Sequence, residues 1–80
     1  MNKLKAGQII LNSKKHPCLI LKVDDNYYWL FSKTPKGFNC NHYYKRYIED
    51  GVIKGNYIII EEYPTWQEAI INSKEFRNDN

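Results

Sequence analysis

Short runs of β-branched and aromatic residues, separated by turn-forming residues, constrain the fold of this chain more than any other feature. The runs are four to six residues long and occupy residues 8–11, 18–23, 27–32 and 57–62. That is the length of an ordinary strand and is short for a helix. The sequence Asp24-Asp25-Asn26 between the second and third runs suits a tight turn. We therefore expect a set of short strands, two of which form a hairpin.

The end of the chain carries the best local signal for a helix. Thr65 is a preferred N-cap residue, and Glu68 three positions later completes a capping box. Trp66, Ala69 and Ile70 then follow at helical spacing and predict an apolar stripe that packs on the sheet. We expect this helix to fray by Arg77 and residues 78–80 to form a loose tail.

Residues 39–51 are compatible with two structures. As a helix, the segment is capped by an asparagine, places Tyr44, Tyr47 and Ile48 on one face, and ends at Gly51. As a strand, it turns at Asp50-Gly51 into Val52 and Ile53. We favour a short helix or an irregular turn, with the strand as the alternative.

Burial is predicted from the apolar pattern within the strands. The isoleucine run of residues 57–62 is expected to be buried on both sheet faces. In the second strand, Leu19 and Leu21 are expected to face the core, while Cys18 and Ile20 belong to an outer or half-covered side.

The chain of 80 residues has the length of one small domain, with a thin hydrophobic core. The pattern predicts a mostly β or α+β fold, a small barrel of about five short strands with one C-terminal α-helix. We assign residues 1–77 to this domain. The thin core also favours completion by a second copy, as in a homodimer.

Composition restricts the class of partner and the compartment. The chain has no apolar run long enough for a signal peptide or a membrane span, so we expect a cytoplasmic protein with reduced thiols and no membrane partner. The formal net charge of +3 permits a polyanionic partner without requiring one.

The first quarter of the chain resembles a known family. Residues 7–10 read Gly-Gln-Ile-Ile, and residues 14–21 read Lys-Lys-His-Pro-Cys-Leu-Ile-Leu. This resembles the opening of the PemK/MazF family of plasmid-maintenance toxins, which has a glycine, an acidic residue and two aliphatic residues, then a basic loop, Arg-Pro and an aliphatic strand. The resemblance implies a small barrel of the Src-homology-three type that cleaves single-stranded RNA.

The resemblance also implies site residues, with departures. His16 stands where the family has its catalytic arginine before Pro17, and Lys22 stands where a serine often ends the second strand. Thr34 is the nearest candidate for a threonine that assists catalysis in the family. The chain is also shorter than most members of that family.

His16 and Lys15 are the most plausible catalytic pair. An imidazole can transfer a proton near neutral pH, and a cation can stabilise a pentavalent phosphate. Cleavage of RNA by its own 2′-hydroxyl then needs no metal or other cofactor. The alternative is a solvated basic loop before a strand.

A second group of residues predicts binding of RNA or of a protein partner. Aromatic rings can stack on unpaired bases while neighbouring cations hold phosphates. The alternative is that the tyrosines pack into the core with solvated charges outside. The candidate binding residues are Lys14, Lys33, Lys36, Tyr43, Tyr44, Lys45 and Arg46.

The pairs His16-x-Cys18 and Cys40-x-His42 raise the possibility of a zinc site, because residues two apart on a strand point the same way. Structural zinc sites usually have wider cysteine spacing, so we predict no metal site.

Three functions remain open from the sequence. The first is a toxin-like, metal-independent endoribonuclease or RNA-binding protein of a mobile element. The second is a non-catalytic phage or mobile-element module that inhibits or recruits a host or antitoxin protein. The third is a small assembly subunit. A concave pocket holding His16 near Thr34 favours catalysis, and exposed Tyr43, Tyr44 and Lys45 favour binding.

Overall fold

A computed structural model describes residues 3–77, so the predicted tail at residues 78–80 lies outside the described residues. Five strands and two helices follow one another along the chain. They are β1 (Gln8–Leu11), β2 (Pro17–Val23), β3 (Tyr27–Thr34), β4 (Gly37–Tyr44), α1 (Lys45–Ile53), β5 (Ile58–Glu62) and α2 (Trp66–Asn72).

The five strands form one antiparallel sheet in the order β4-β3-β2-β1-β5. The fold is therefore α+β with five strands, as predicted, but the prediction of a barrel with one helix is wrong. A barrel requires its two edge strands to pair. Here β4 and β5 lie at opposite edges of an open sheet, and α1 is a second helix in the connection between them.

Each face of the sheet carries its own small core. On the face that we call the α1 face, Ile10, Ile20 and Leu30 pack with Ile48 of α1. On the opposite, α2 face, Ile9 and Leu19 pack with Ala69 of α2 and with Phe76. Both sides of the central strands are thus covered, so alternate residues of β1 and β2 are buried on opposite faces of the sheet.

The ambiguous segment is divided between the two predicted structures. Its first part continues as β4, paired with β3 from Gly37 to Tyr44, and its second part forms α1. The backbone N–H of Lys45 donates to the carbonyl of Asn26 at 3.0 Å, which ties the start of α1 to the β2–β3 turn. Gly51 lies inside α1 rather than at its end. A single structure for residues 39–51 was therefore wrong in either form.

Two burial predictions are also wrong, and both follow from the layout. Ile58, Ile59 and Ile60 are exposed because β5 is an edge strand. Cys18 and Ile20 are buried because α1 covers the side of β2 that we expected to be outer or half-covered.

The C-terminal helix begins as predicted. The backbone N–H of Glu68 donates to Oγ1 of Thr65 at 3.1 Å, and Ala69 is fully buried against the sheet. The helix ends at Asn72, earlier than expected. Among residues 3–77, no helix is both long and apolar enough to span a membrane.

Candidate functional site

The α2 face is covered unevenly. The short α2 packs on β1 and β2, at one side of the sheet. The side chains of β3 and β4 that point to this face include six rings, which together we call the aromatic face. They belong to Tyr27, Trp29, Phe31, Phe38, His42 and Tyr44.

The strand register explains why these rings lie together. Alternate residues of a strand point to the same face, and paired residues lie side by side. Tyr27 pairs with Tyr44, and Trp29 pairs with His42. All the rings of β3 and β4 at these alternate positions therefore point away from α1.

The rings contact one another in two groups. In the first, His42 lies 4.8 Å from Tyr27 and 4.6 Å from Trp29 between ring centroids, and Tyr27 lies 5.0 Å from Tyr44. In the second, Phe31 and Phe38 stack at 5.0 Å with an interplanar angle of 3°. Mutual contact restrains each ring, so the face presents fixed aromatic surfaces.

Near the β2–β3 turn, at one end of the aromatic face, polar groups contact the rings of Tyr27 and Trp29. Oδ2 of Asp24 accepts a hydrogen bond from Nε1 of Trp29 at 2.9 Å, which lowers the pKa of Asp24. A hydrogen bond with Tyr44 raises the pKa of Tyr27. Lys22 places its ammonium 6.0 Å from the centroid of the Trp29 ring, within the range of a cation–π contact.

The α1 face holds a different feature, a polar cavity of about 380 Å³. It lies between the β1–β2 loop, the end of β3 and the start of α1. Its wall includes Lys14, His16, Thr34 and Tyr43, four of the residues predicted from the sequence. The structure thus brings the β1–β2 loop and the end of β3 together at one cavity. The other lining residues are Asn12, Ser13, Ser32, Asn39, Asn41, Tyr47 and Tyr57.

The β1–β2 loop is organised by Asn12. Its Oδ1 accepts from the backbone N–H of Lys14 at 3.0 Å and from that of His16 at 2.9 Å. Lys15 is exposed at a positive φ of 67° and is not among the residues that line the cavity. The predicted pair of His16 and Lys15 is therefore split, with Lys14 rather than Lys15 sharing the cavity with His16.

Thr34 already has a structural role. Its hydroxyl donates to the carbonyl of Gly37 at 2.9 Å and accepts from the N–H of Lys36 at 3.2 Å. These bonds close the β3–β4 turn. A catalytic use of this hydroxyl would compete with the turn that it stabilises.

The predicted binding residues do not form one surface. Tyr43 points to the α1 face and packs against the core there, whereas Tyr44 points to the α2 face and is exposed. Lys33 donates from Nζ to the carbonyl of Glu75 at 3.0 Å, beside the aromatic face. Lys45 and Arg46 begin α1, where Lys45 lies 5.9 Å from the ring of Tyr28.

The zinc alternative has no support from the strand register. Cys18 is buried on the α1 face, with burial raising the pKa of its thiol, while Cys40 is exposed. Cys40 pairs with Phe31, so it points to the α2 face. Within residues 3–77, no three histidine, cysteine or acidic side chains lie close enough to hold a metal ion.

Most of the aromatic face was missed from the sequence. Tyr44 was a binding candidate and His42 was considered only as a zinc ligand, whereas Tyr27, Trp29, Phe31 and Phe38 were not candidates. The signal was the alternation Phe38-x-Cys40-x-His42-x-Tyr44, which has the period of a strand. It was obscured because residues 39–51 were treated as one element.

Comparison with known proteins found no matching family model, no matching curated protein and no matching solved structure. The resemblance of the first quarter of the chain to the PemK/MazF toxins stays a prediction, as do the protein partner and the homodimer.

Proposed function

We propose that this protein binds single-stranded RNA on the aromatic face. The observation that carries the proposal is the row of rings on β3 and β4 beside α2, of which Phe38, His42 and Tyr44 are exposed and Tyr27, Trp29 and Phe31 are half-buried. Stacking of unpaired bases on aromatic side chains is the common mode of single-strand recognition, and an open sheet is a suitable platform for it.

The arrangement suits a strand of several bases better than one small ligand. Rings at alternate positions of a strand recur roughly every 6.8 Å, so successive bases can each find a ring. Phe38 and Tyr44, near opposite ends of β4, are 54% and 66% exposed, which leaves ring surface open at both ends of the row.

Charge supports a polyanionic partner to a modest degree. Lys22 and Lys33 lie beside the aromatic face, and Lys36 lies in the turn that joins its two strands. Few phosphate contacts are available from so few cations, so stacking must supply much of the affinity. We expect a shallow dependence on salt, since each phosphate contact contributes a slope of roughly −0.7 for single strands.

The test is fluorescence anisotropy with a short labelled single-stranded RNA. Tyr44→Ala and Phe38→Ala should each weaken binding by about 1–3 kcal/mol, the value of one lost base stack. Ile53→Ala is the control, because Ile53 is 66% exposed on α1, on the opposite side of the sheet, and does not line the polar cavity. Equal affinities for all three variants and the unaltered protein would contradict the proposal.

A second candidate function rests on the polar cavity. His16 and Lys14 share that cavity with Thr34, which supports a metal-independent endoribonuclease. Cleavage of labelled RNA in the presence of a chelator tests it. His16→Ala should abolish cleavage, while His42→Ala, which alters the other histidine of the chain, should retain cleavage at saturating RNA. Absence of cleavage by the unaltered protein at high concentration would exclude this second function.

A further inference from the structure

A slot of about 420 Å³ opens between the sheet and α2, next to the aromatic face. Its lining residues are Leu21, Lys22, Trp29, Phe31, Trp66 and Ile70. We propose that this slot receives one unpaired base of a single-stranded RNA bound on the aromatic face. This inference rests on the proposed function and adds that one base of the bound strand enters a pocket of its own.

The walls of the slot have the chemistry of a base-binding pocket. Three of the six lining residues are aromatic, two of them tryptophans, and two are aliphatic. Ligand pockets are typically apolar cavities of about 300–1,000 Å³ with a few placed polar groups. A planar heteroaromatic base can stack on the indole of Trp29 or Trp66, whereas a flexible aliphatic chain would not use their flat faces.

Lys22 supplies the charge complementarity that favours a nucleotide over an uncharged ring. Its ammonium lies 6.0 Å from the centroid of Trp29, at the slot, where it can meet the phosphate next to a stacked base. The six lining residues include no carboxylate. Asp24 lies beside the slot but is engaged with Nε1 of Trp29, whose indole it orients.

The position of Trp66 is fixed by the start of α2. It is the first residue of that helix, and the hydrogen bond from the N–H of Glu68 to Oγ1 of Thr65 holds the helix start in place. Ala69, on the same helix, is fully buried against the sheet. The backbone that carries the second indole therefore belongs to a helix that packs on the sheet.

The slot and the aromatic face are continuous. Trp29 and Phe31 belong to both, so a strand that follows the aromatic face toward α2 reaches the slot. A base turned out of the strand there would leave its neighbours stacked on the remaining rings of β3 and β4.

Tryptophan fluorescence tests the proposal directly, because the chain has two tryptophans and both line the slot. The tryptophan emission of Trp29→Phe comes from Trp66 alone, and that of Trp66→Phe comes from Trp29 alone. Saturating single-stranded RNA should change the emission of both variants. Trp66→Ala should weaken RNA binding about tenfold, as expected for one lost base stack.

Ile71→Ala provides the matched control on the same helix. Ile71 is 69% exposed and does not line the slot, so this variant should bind RNA like the unaltered protein. Circular dichroism establishes that each variant is folded, and the Trp66 emission of Trp29→Phe tests the slot even where Trp66→Ala does not fold.

The outcomes separate this inference from the proposed function. Unchanged Trp66 emission together with loss of affinity in Tyr44→Ala would overturn the slot and leave the proposed function standing. Failure of the unaltered protein to bind RNA at all would overturn both. Quenching by uridine monophosphate or adenosine monophosphate at the same concentrations as the RNA would show a site for free nucleotides and would also overturn the inference.

Discussion

The ring of Tyr57 packs against the α-carbon of Gly51 so closely that no side chain fits between them. A Cβ built on Gly51 would overlap Cδ2 and Cε2 of that ring. The contact is also fixed through the backbone, because the N–H groups of Asn56 and Tyr57 both donate to the carbonyl of Gly51, at 2.7 and 3.2 Å. This contact sets the path from α1 into β5.

Gly51→Ala should therefore destabilise the protein, although alanine is the better helix former. Overpacking costs about 1–3 kcal/mol, and the gain in helix propensity offsets about 1 kcal/mol of it. Urea denaturation measures the net loss. In a Tyr57→Ala background the obstacle is gone, so the same Gly51→Ala change should stabilise by about 1 kcal/mol. A destabilisation of equal size in both backgrounds would show that the ring is not the cause.

The elements that the sequence predicted well are those decided by neighbours in the chain. The cap at Thr65 and the first strand, residues 8–11, depend on local side-chain chemistry and on short-range apolar pattern. Gly51 shows the limit of this reasoning. A glycine near the end of a helical pattern predicts a helix end. Here the position needs a glycine for another reason, because the ring of Tyr57, a residue beyond the helix, packs against it.

Sheet closure and burial depend on strand order, which pattern alone does not provide. An isoleucine run is apolar whether its strand is central or at an edge, so the exposure of Ile58–Ile60 follows only from the position of β5. The candidate site shows the same division. His16 and Thr34, which the family resemblance singled out, line one cavity, whereas the aromatic face required the pairing of β3 with β4.

Gly7→Ala should be more damaging than a similar change at another glycine with positive φ. Gly7 has a φ of 96°, and a Cβ there would overlap the backbone carbonyl oxygen of Tyr63. The Tyr63 carbonyl cannot move away easily, because the backbone N–H of Tyr63 donates to the carbonyl oxygen of Gly7 at 3.0 Å. We expect a loss above about 2 kcal/mol in the free energy of unfolding.

The control for Gly7 is Gly55→Ala. Gly55 also has a positive φ, of 82°, but a Cβ there meets nothing within 4 Å. It should cost about 1–2 kcal/mol from backbone strain alone. Equal losses for the two variants in urea denaturation would refute the role of the Tyr63 carbonyl.

Alkaline pH should weaken the fold through Tyr28. Burial and a hydrogen bond to Glu49 raise the pKa of Tyr28 to about 12, against about 10 in an unfolded chain. Between these values the unfolded state releases the proton while the folded state keeps it, so stability is complete below pH ~10 and falls as pH rises toward ~12. Burial raises the pKa of Tyr57 in the same direction.

Tyr28→Phe isolates this contribution. The variant loses the acceptor of the Leu4 N–H, so it should be less stable at neutral pH. Its stability should nevertheless fall less steeply than that of the unaltered protein between about pH 10 and 12, because one titrating group is gone. Parallel curves of unfolding free energy against pH would contradict the assignment.

The edge position of β5 gives a contrast between two isoleucines that pair across strands. Ile59 pairs with Ile10, yet Ile59 is 39% exposed and Ile10 is fully buried. Ile10→Ala should cost about 2–5 kcal/mol, the usual range for a core isoleucine. Ile59→Ala should cost clearly less, because only part of its side chain is removed from water. Thermal and urea denaturation compare the two variants, and equal losses would mean that β5 is covered in solution.

The two thiols should report both burial and RNA binding. A thiol reagent added to the native protein should modify Cys40, which is exposed, and should reach Cys18 only on unfolding, because Cys18 is buried and burial raises its pKa.

Cys40 pairs with Phe31 and points to the aromatic face, so bound single-stranded RNA should slow its modification. Cys18→Ala removes the second thiol and leaves one signal to follow. A Cys40 rate that saturating RNA leaves unchanged would place the bound strand elsewhere, whereas protection that disappears in Tyr44→Ala would tie it to the rings of β3 and β4.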